Sequence, residues 1–180
     1  MYKLIYLSID PGTNTIGTAI NAVTTEGEWV LLHAHTTHIG VCIPHLFDSE
    51  DILKHGMRIY RALAVERAIY RMCDAWSVNH VVSESPYMNK FATAFAALTE
   101  CLLSIRRGCL LYDSKIAFTL IDPSTIKVSV GVKGNSGDKK LMSDAVLKIA
   151  GQFIDVSCLD EHSVDAVAAG YAYYKTYLNN

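Results

Sequence analysis

The chain has 180 residues, of which 51% are hydrophobic and 19% charged, a balance that excludes a disordered segment and predicts one domain, residues 1–180, with a sizeable core. A formal net charge of −2 excludes a uniformly basic nucleic-acid binder, so such a role has to rest on local basic patches. There is no apolar run of about 18 residues and no secretory pattern at the start. The five cysteines (Cys42, Cys73, Cys101, Cys109 and Cys158) are odd in number and form no C-x-x-C pair. They read as buried reduced thiols, which predicts a soluble protein of the cytoplasm or another intracellular compartment (the host cytoplasm if it is of phage origin), not secreted and without membrane contact.

In chain order, "YKLIYLSID" lacks clean alternation between Leu4 and Ile9, as in a central strand covered on both faces. "PGTN" is turn chemistry, and the apolar run from 15 to 23 reads as the returning strand of a hairpin. "TTEGE" at 24–28 is a second turn, leading into a third strand over about 28–37. Residues 38–47, with Gly40 and Pro44, read as irregular. A long helix is predicted over 49–76, with Asp48 or Ser49 as its cap and an apolar face of Ile52, Ile59, Leu63, Ile69, Tyr70 and Cys73. A fourth strand over 78–85 ends on Glu84, and a helix over 90–107 is closed by Gly108. A fifth strand over 115–122 leads to a short helix capped by Asp122, with Pro123 in its first turn. The basic loop "GVKGNSGDKK" and helices over 138–150 and 160–177 complete the chain. This order predicts one mixed α/β sheet with helices on both faces.

A carboxylate at the rim of a core is unfavourable unless something pairs with it, and a cation is one such partner. Asp10 and Glu84 both sit at strand ends, so neighbouring strands would put them on one rim. His162 and Asp165, three apart, share a helix face, and the small-residue tail "AVAAG" lets that helix pack closely on the sheet. Crowded carboxylates suit Mg²⁺ or Mn²⁺, and a two-metal site suits phosphodiester hydrolysis. His162 would be either a ligand or the group that acts on the proton of the attacking water. Simpler readings stand beside these. Asp10 could bond turn amides, Glu84 could pair with a lysine, Asp160 could be a helix cap, and Glu161 could be first-turn charge. Lys127, Lys133, Lys139 and Lys140 surround one glycine-bearing loop and read as phosphate contacts. Arg106 and Arg107 read as charges complementing a helix C-terminus, with phosphate contact as the alternative. Arg58, Arg61, Arg67 and Arg71 read as a solvated helix face, and Phe91 and Phe95 as core or dimer contacts.

The segments "SIDPGTNTIGTAI", "VVSESPYMNKFATAFAALTECLLSIRRG", "IDPSTIKVSVGVKGNSGDKKLMSDAVLK" and "DEHSVDAVAAGYA" resemble, in order, the four sequence blocks of RuvC-type Holliday-junction resolvases. The resemblance implies the ribonuclease H-like fold, with three antiparallel strands followed by parallel ones. It implies a metal-dependent endonuclease acting as a homodimer on four-way and related branched DNA in recombination and repair. Paired symmetric nicks would leave 5′-phosphate ends, with no nucleotide cofactor. Asp10, Glu84, His162 and Asp165 would form the metal and catalytic site, with Lys139 beside it. Tyr87 would stack on bases, and Lys127, Lys133, Lys139 and Lys140 would contact DNA. The chain departs from the family pattern at Thr99 and Glu100, where a Gly-Gln pair is usual. A loop one residue longer than expected makes Lys139 and Lys140 compete for one role.

Other readings remain. "DPGTNTIG" resembles the first phosphate loop of actin-type and sugar-kinase ATPases, but the chain is short for their two domains and has no second glycine-rich phosphate loop. A related nuclease acting on RNA or other branched DNA, or a non-catalytic junction-binding module, would share most of these features.

Overall fold

In a computed structural model describing residues 1–87, 91–134 and 137–179, β1 (Tyr2–Asp10) pairs antiparallel with β2 (Thr15–Thr24), and β2 with β3 (Trp29–His38). On its other side β1 runs parallel to β4 (His80–Glu84), and β4 parallel to β5 (Ala117–Ile121), giving the order β3-β2-β1-β4-β5. The predicted mixed five-stranded sheet is therefore present, with β1 at its centre. Parallel neighbours end at one edge: Ile9 lies opposite Ser83 and Glu84 opposite Ile121. Asp10 and Glu84 consequently leave the sheet side by side.

The helices divide between the two faces. On one face Leu7, Ile9, Ile20 and Val81 are buried under α1 (Ile39–Leu46), α3 (Met57–Trp76) and α4 (Ala92–Tyr112). On the other, Tyr6, Ala19 and Val82 are buried under α5 (Pro123–Ser129), α6 (Lys139–Ala150) and α7 (Glu161–Tyr173). No helix among the described residues is long and apolar enough to cross a membrane.

Several local expectations are corrected. Residues 38–47 are not irregular: α1 forms there because Ile39 and Ile43, one turn apart, both bury against the sheet. Pro44 lies inside this helix, and the carbonyl it leaves without a donor belongs to exposed Gly40, where water can serve it. The single helix expected over 49–76 is broken at Gly56 (φ 86°) into α2 (Ser49–His55) and α3, with Asp48 capping α2. The buried face of α3 is Tyr60, Ala64, Val65, Ile69 and Cys73, while Ile59 and Tyr70 are exposed.

Gly108 does not end α4, which runs on to Tyr112 because Gly108 is where α4 meets the Glu66 carbonyl of α3. Arg106 and Arg107 are thus mid-helix. Arg106 lies over the Phe118 ring, 4.4 Å from its centroid, and Arg107 pairs with Glu66 at 2.8 Å. Arg58 is held by Glu100 through two 2.7 Å bonds, and Arg61 is half-buried, so the arginines of α3 are not simply a solvated face. The expected helix start at residue 90 lies outside the described residues, as do 135–136 of the basic loop. Phe91 is exposed rather than core. The last helix gives way after Tyr173 to a π-helical turn, Tyr174–Leu178. All five cysteines are free, but Cys42 is half-buried and Cys158 exposed rather than buried.

Candidate active site

Asp10 closes β1 opposite Gly17 of β2, and the turn between them is tight. A Cβ on Gly12 would lie 2.2 Å from the Thr15 carbonyl oxygen, so only glycine fits there. The turn is held from two sides: the Cys101 thiol of α4 donates to the Gly12 carbonyl at 3.4 Å, and the Ile39 amide of α1 to the Asn14 carbonyl at 2.8 Å. Strand pairing brings Glu84 alongside. The third acid arrives on α7, which the sheet receives unusually closely. A Cβ on Gly17 would lie 1.9 Å from the His162 carbonyl oxygen, so the absent side chain is what lets the first turn of α7 rest on β2. Farther along, the Ser8 hydroxyl donates to the Ala166 carbonyl at 2.7 Å, and the Tyr6 hydroxyl to the Gly170 carbonyl at 2.8 Å. Asn21 donates to Ser8 and accepts from the Trp29 indole, so every member of this buried polar chain has a partner.

Asp10, Glu84 and Asp165 form the acidic centre. Burial, then the charges of Asp10 and Asp165, push the Glu84 carboxyl up to about 8. Burial and Asp10 push Asp165 up to about 6. Burial also raises Asp10, against the pull of His162. Lys127 lowers both Glu84 and Asp165, which places its charge at this centre.

His162 is engaged at both ring nitrogens. Nδ1 lies 2.8 Å from Asp10 Oδ2, and Nε2 lies 2.9 Å from the Thr15 hydroxyl. With Asp10 ionised, the carboxylate can only accept, so Nδ1 carries a proton, and in the neutral ring Nε2 accepts from Thr15. Sequence reasoning misses Thr15. Its only signal there is a hydroxyl residue just past an acid-ended turn, and its partner lies 147 positions away.

The flanking charges have assigned partners. Asp160 caps α7, accepting from the Ser163 amide, and also accepts from the Thr36 hydroxyl of β3. Although burial would raise its carboxyl, these hydrogen bonds leave it below its ordinary value. Glu161 pairs with Lys139, which lowers the glutamate and raises the lysine. Lys139 is also raised by the charge of Asp165, so of Lys139 and Lys140 it is the one drawn to the acidic centre. Lys140 has no ion-pair or hydrogen-bond partner for its amine among the described residues. Asp122 is a helix cap, brought to about 2 by Ser124 and Thr125. Tyr87 stands three residues beyond Glu84, 69% exposed, with Lys133 exposed in the basic loop.

The donor chemistry fits a hard divalent cation: three oxygen-bearing acids, of which Asp10 and Asp165 disfavour ionisation of Glu84, and Asp10 that of Asp165, in the absence of positive charge. Their side chains do not yet form a closed cage, for no group of three or more His, Cys, Asp or Glu among the described residues is placed to hold an ion.

The architecture matches the ribonuclease H-like fold of RuvC. The chain is similar to Thermus thermophilus RuvC in complex with a Holliday junction substrate, with a TM-score of 0.70 at 15% identity over 94% of this chain and 92% of that one. It is similar to the yeast mitochondrial Holliday junction resolvase, TM-score 0.62 at 13% identity over 97% and 81%. The fowlpox virus resolvase, in complex with Holliday junction DNA, gives 0.56 at 14% identity over 98% and 97%. No protein-family model and no curated protein matches the sequence.

Proposed function

We propose that this chain is a divalent-metal-dependent endonuclease that resolves four-way DNA junctions by paired symmetric nicks, leaving 5′-phosphate and 3′-hydroxyl ends. The observation that carries this reading is the meeting of Asp10, Glu84 and Asp165 at the edge where β1 and β4 end, in a charge environment that favours a cation. Its support from outside is the fold, which several junction resolvases share.

In this reading Asp10, Glu84 and Asp165 hold one or two Mg²⁺ or Mn²⁺ ions. When bound, such ions activate a water and stabilise the leaving oxygen of a phosphodiester. His162 keeps a proton at Nδ1 against Asp10 and thereby orients that carboxylate. Serving as a ligand or as a base requires a ring lone pair, and Nε2 is the nitrogen that has one. His162 therefore enters either role only when Thr15 releases Nε2. Lys139 and Lys127 position the scissile phosphate, Lys133 and Lys140 hold the flanking backbone, and Tyr87 stacks on a base at the branch point. A two-fold junction calls for two symmetry-related sites, so the working unit is a homodimer.

The test is cleavage of a labelled immobile four-way junction beside linear duplex of the same sequence, with Mg²⁺, Mn²⁺ or EDTA, using the wild type and Asp10→Asn. Paired nicks confined to the junction, dependent on metal and lost in the variant, are expected. Equal cutting by Asp10→Asn would remove Asp10 from the site. Tight junction binding with no cutting under any metal would make the chain a binding module.

A further inference from the structure

A groove of about 770 Å³ runs beside α6, on the face that carries α7 and away from the acidic centre. One wall is the turn Ser129–Lys133, and the other is formed by Leu141, Asp144, Ala145, Lys148 and Ile149 of α6. Tyr171 of α7 lines it as well, its ring fixed edge-on by Trp29 at a centroid distance of 5.1 Å. Lys175 brings a further cation to that ring, with Nζ 5.9 Å from its centroid.

Two features distinguish this groove from an ordinary surface crease. First, its lysines are uncommitted: neither Lys133 nor Lys148 has an ion-pair or hydrogen-bond partner among the described residues, whereas Lys139 is held by Glu161. Second, it opens from the basic loop, whose Lys133 lines it. The Lys139–Glu161 pair joins the first turns of α6 and α7, and Ile149 and Tyr171 meet again in the groove, so the two helices run side by side from the catalytic edge. At 1.5 Å and 100° per residue, Lys148 stands about 13 Å along α6 from Lys139 and half a turn around it, which takes it from the Glu161 side into the groove.

We propose that this groove receives the sugar–phosphate backbone of a duplex arm leaving the junction, with Lys133 and Lys148 contacting phosphates away from the scissile one. The inference rests on the nuclease reading above and adds an arm-binding subsite to it. Such contacts supply affinity without sequence preference and weaken with salt. Asp144 lies in the same groove and opposes the same polyanion, so its removal should act in the opposite direction from removal of Lys148.

The experiment is junction binding by fluorescence anisotropy in EDTA, titrated over a range of salt, for the wild type, Lys148→Gln, Lys148→Glu and Asp144→Asn. Melting temperatures, expected unchanged for these exposed positions, check that each variant is folded. Lys148→Gln should weaken binding about threefold and reduce the salt slope by about one. Lys148→Glu should weaken it about tenfold, and Asp144→Asn should tighten it about twofold. If the wild type binds the junction but all three variants match it, the groove is not an arm site, and the nuclease reading stands. The arm site is equally overturned if Lys148→Gln and Asp144→Asn shift affinity in the same direction. If the wild type binds neither junction nor duplex, the nuclease reading falls and the arm site with it.

Discussion

The two faces of the sheet are held by different means. Under α3 and α4 the interface is Ile69, Cys73, Ile105 and Cys109 against Leu7, Ile9 and Val81, mostly non-directional apolar contact, with the Cys101 thiol on the Gly12 carbonyl at its edge. Under α7 the contact is close and directional. Small residues (Ala166, Ala169, Gly170) let the helix approach, and Ser8, Tyr6, Asn21 and Trp29 fix it by buried hydrogen bonds. Apolar packing tolerates some sliding. A hydroxyl bonded to one carbonyl of a helix does not. The face that brings His162 and Asp165 to Asp10 is the one that carries the buried hydrogen-bond chain, and the other face chiefly supplies burial.

The strongest way to break this contrast is to disturb each face once. Gly17→Ala pushes a methyl into the His162 carbonyl and should displace the start of α7, costing about 3 kcal/mol in urea unfolding and most of the junction cleavage. Ile105→Ala, on the opposite face, should also cost about 3 kcal/mol, yet leave the cleavage rate of the folded protein within about twofold. If Ile105→Ala lost activity as fully as Gly17→Ala, the division of labour between the faces would be wrong.

Charge sharpens the comparison next. The Glu84 carboxyl is raised from 4.5 to about 8 on folding. Below pH 4.5 it is protonated in both folded and unfolded chains and costs nothing. As pH rises toward 8 the unfolded chain ionises freely while the folded one resists, so stability falls across that window. Glu84→Gln should therefore match the wild type at pH 4 and exceed it at pH 8 by about 4 kcal/mol in metal-free buffer. Adding Mg²⁺ or Mn²⁺ at pH 8 should raise the wild-type melting temperature and narrow that gap. An equal gap at pH 4 and pH 8 would mean that the site does not strain the acid.

The smallest expected effect is at Thr15. Thr15→Val removes the hydroxyl that Nε2 of His162 faces and should cost about 1 kcal/mol of stability. The pH–rate profile for cleavage should shift, because the lone pair is then free at all times, while Thr15→Ser restores the wild-type profile. An unchanged profile in Thr15→Val would make the contact incidental.

Much of this is legible in the residues alone, for reasons that particular positions make plain. Strand ends announce themselves by an acid after an apolar run, so Asp10 and Glu84 stand out. Helix caps are local too: Asp122, Asp138 and Asp160 each accept from an amide two or three residues on. What misleads is local punctuation overruled by burial. Pro44 and Gly40 read as loop, but Ile39 and Ile43 gain more from the core than the helix loses there. Gly108 reads as a stop, but its missing side chain serves the crossing of α4 over α3. Gly56 does break a helix, yet it gives no clear signal, because the apolar pattern continues on either side of it.

By itself the sequence determined the strands of the sheet and pointed to Asp10, Glu84, His162 and Asp165, since strand ends, turns and helix-face spacing are set over a few positions. The tertiary structure alone decided how they meet. Thr15 takes one nitrogen of His162 and Asp10 the other, Glu161 holds Lys139, and α7 lies against Gly17. Each of these contacts joins residues far apart in the chain, and its partner is set by packing distance, which no local pattern of residues encodes.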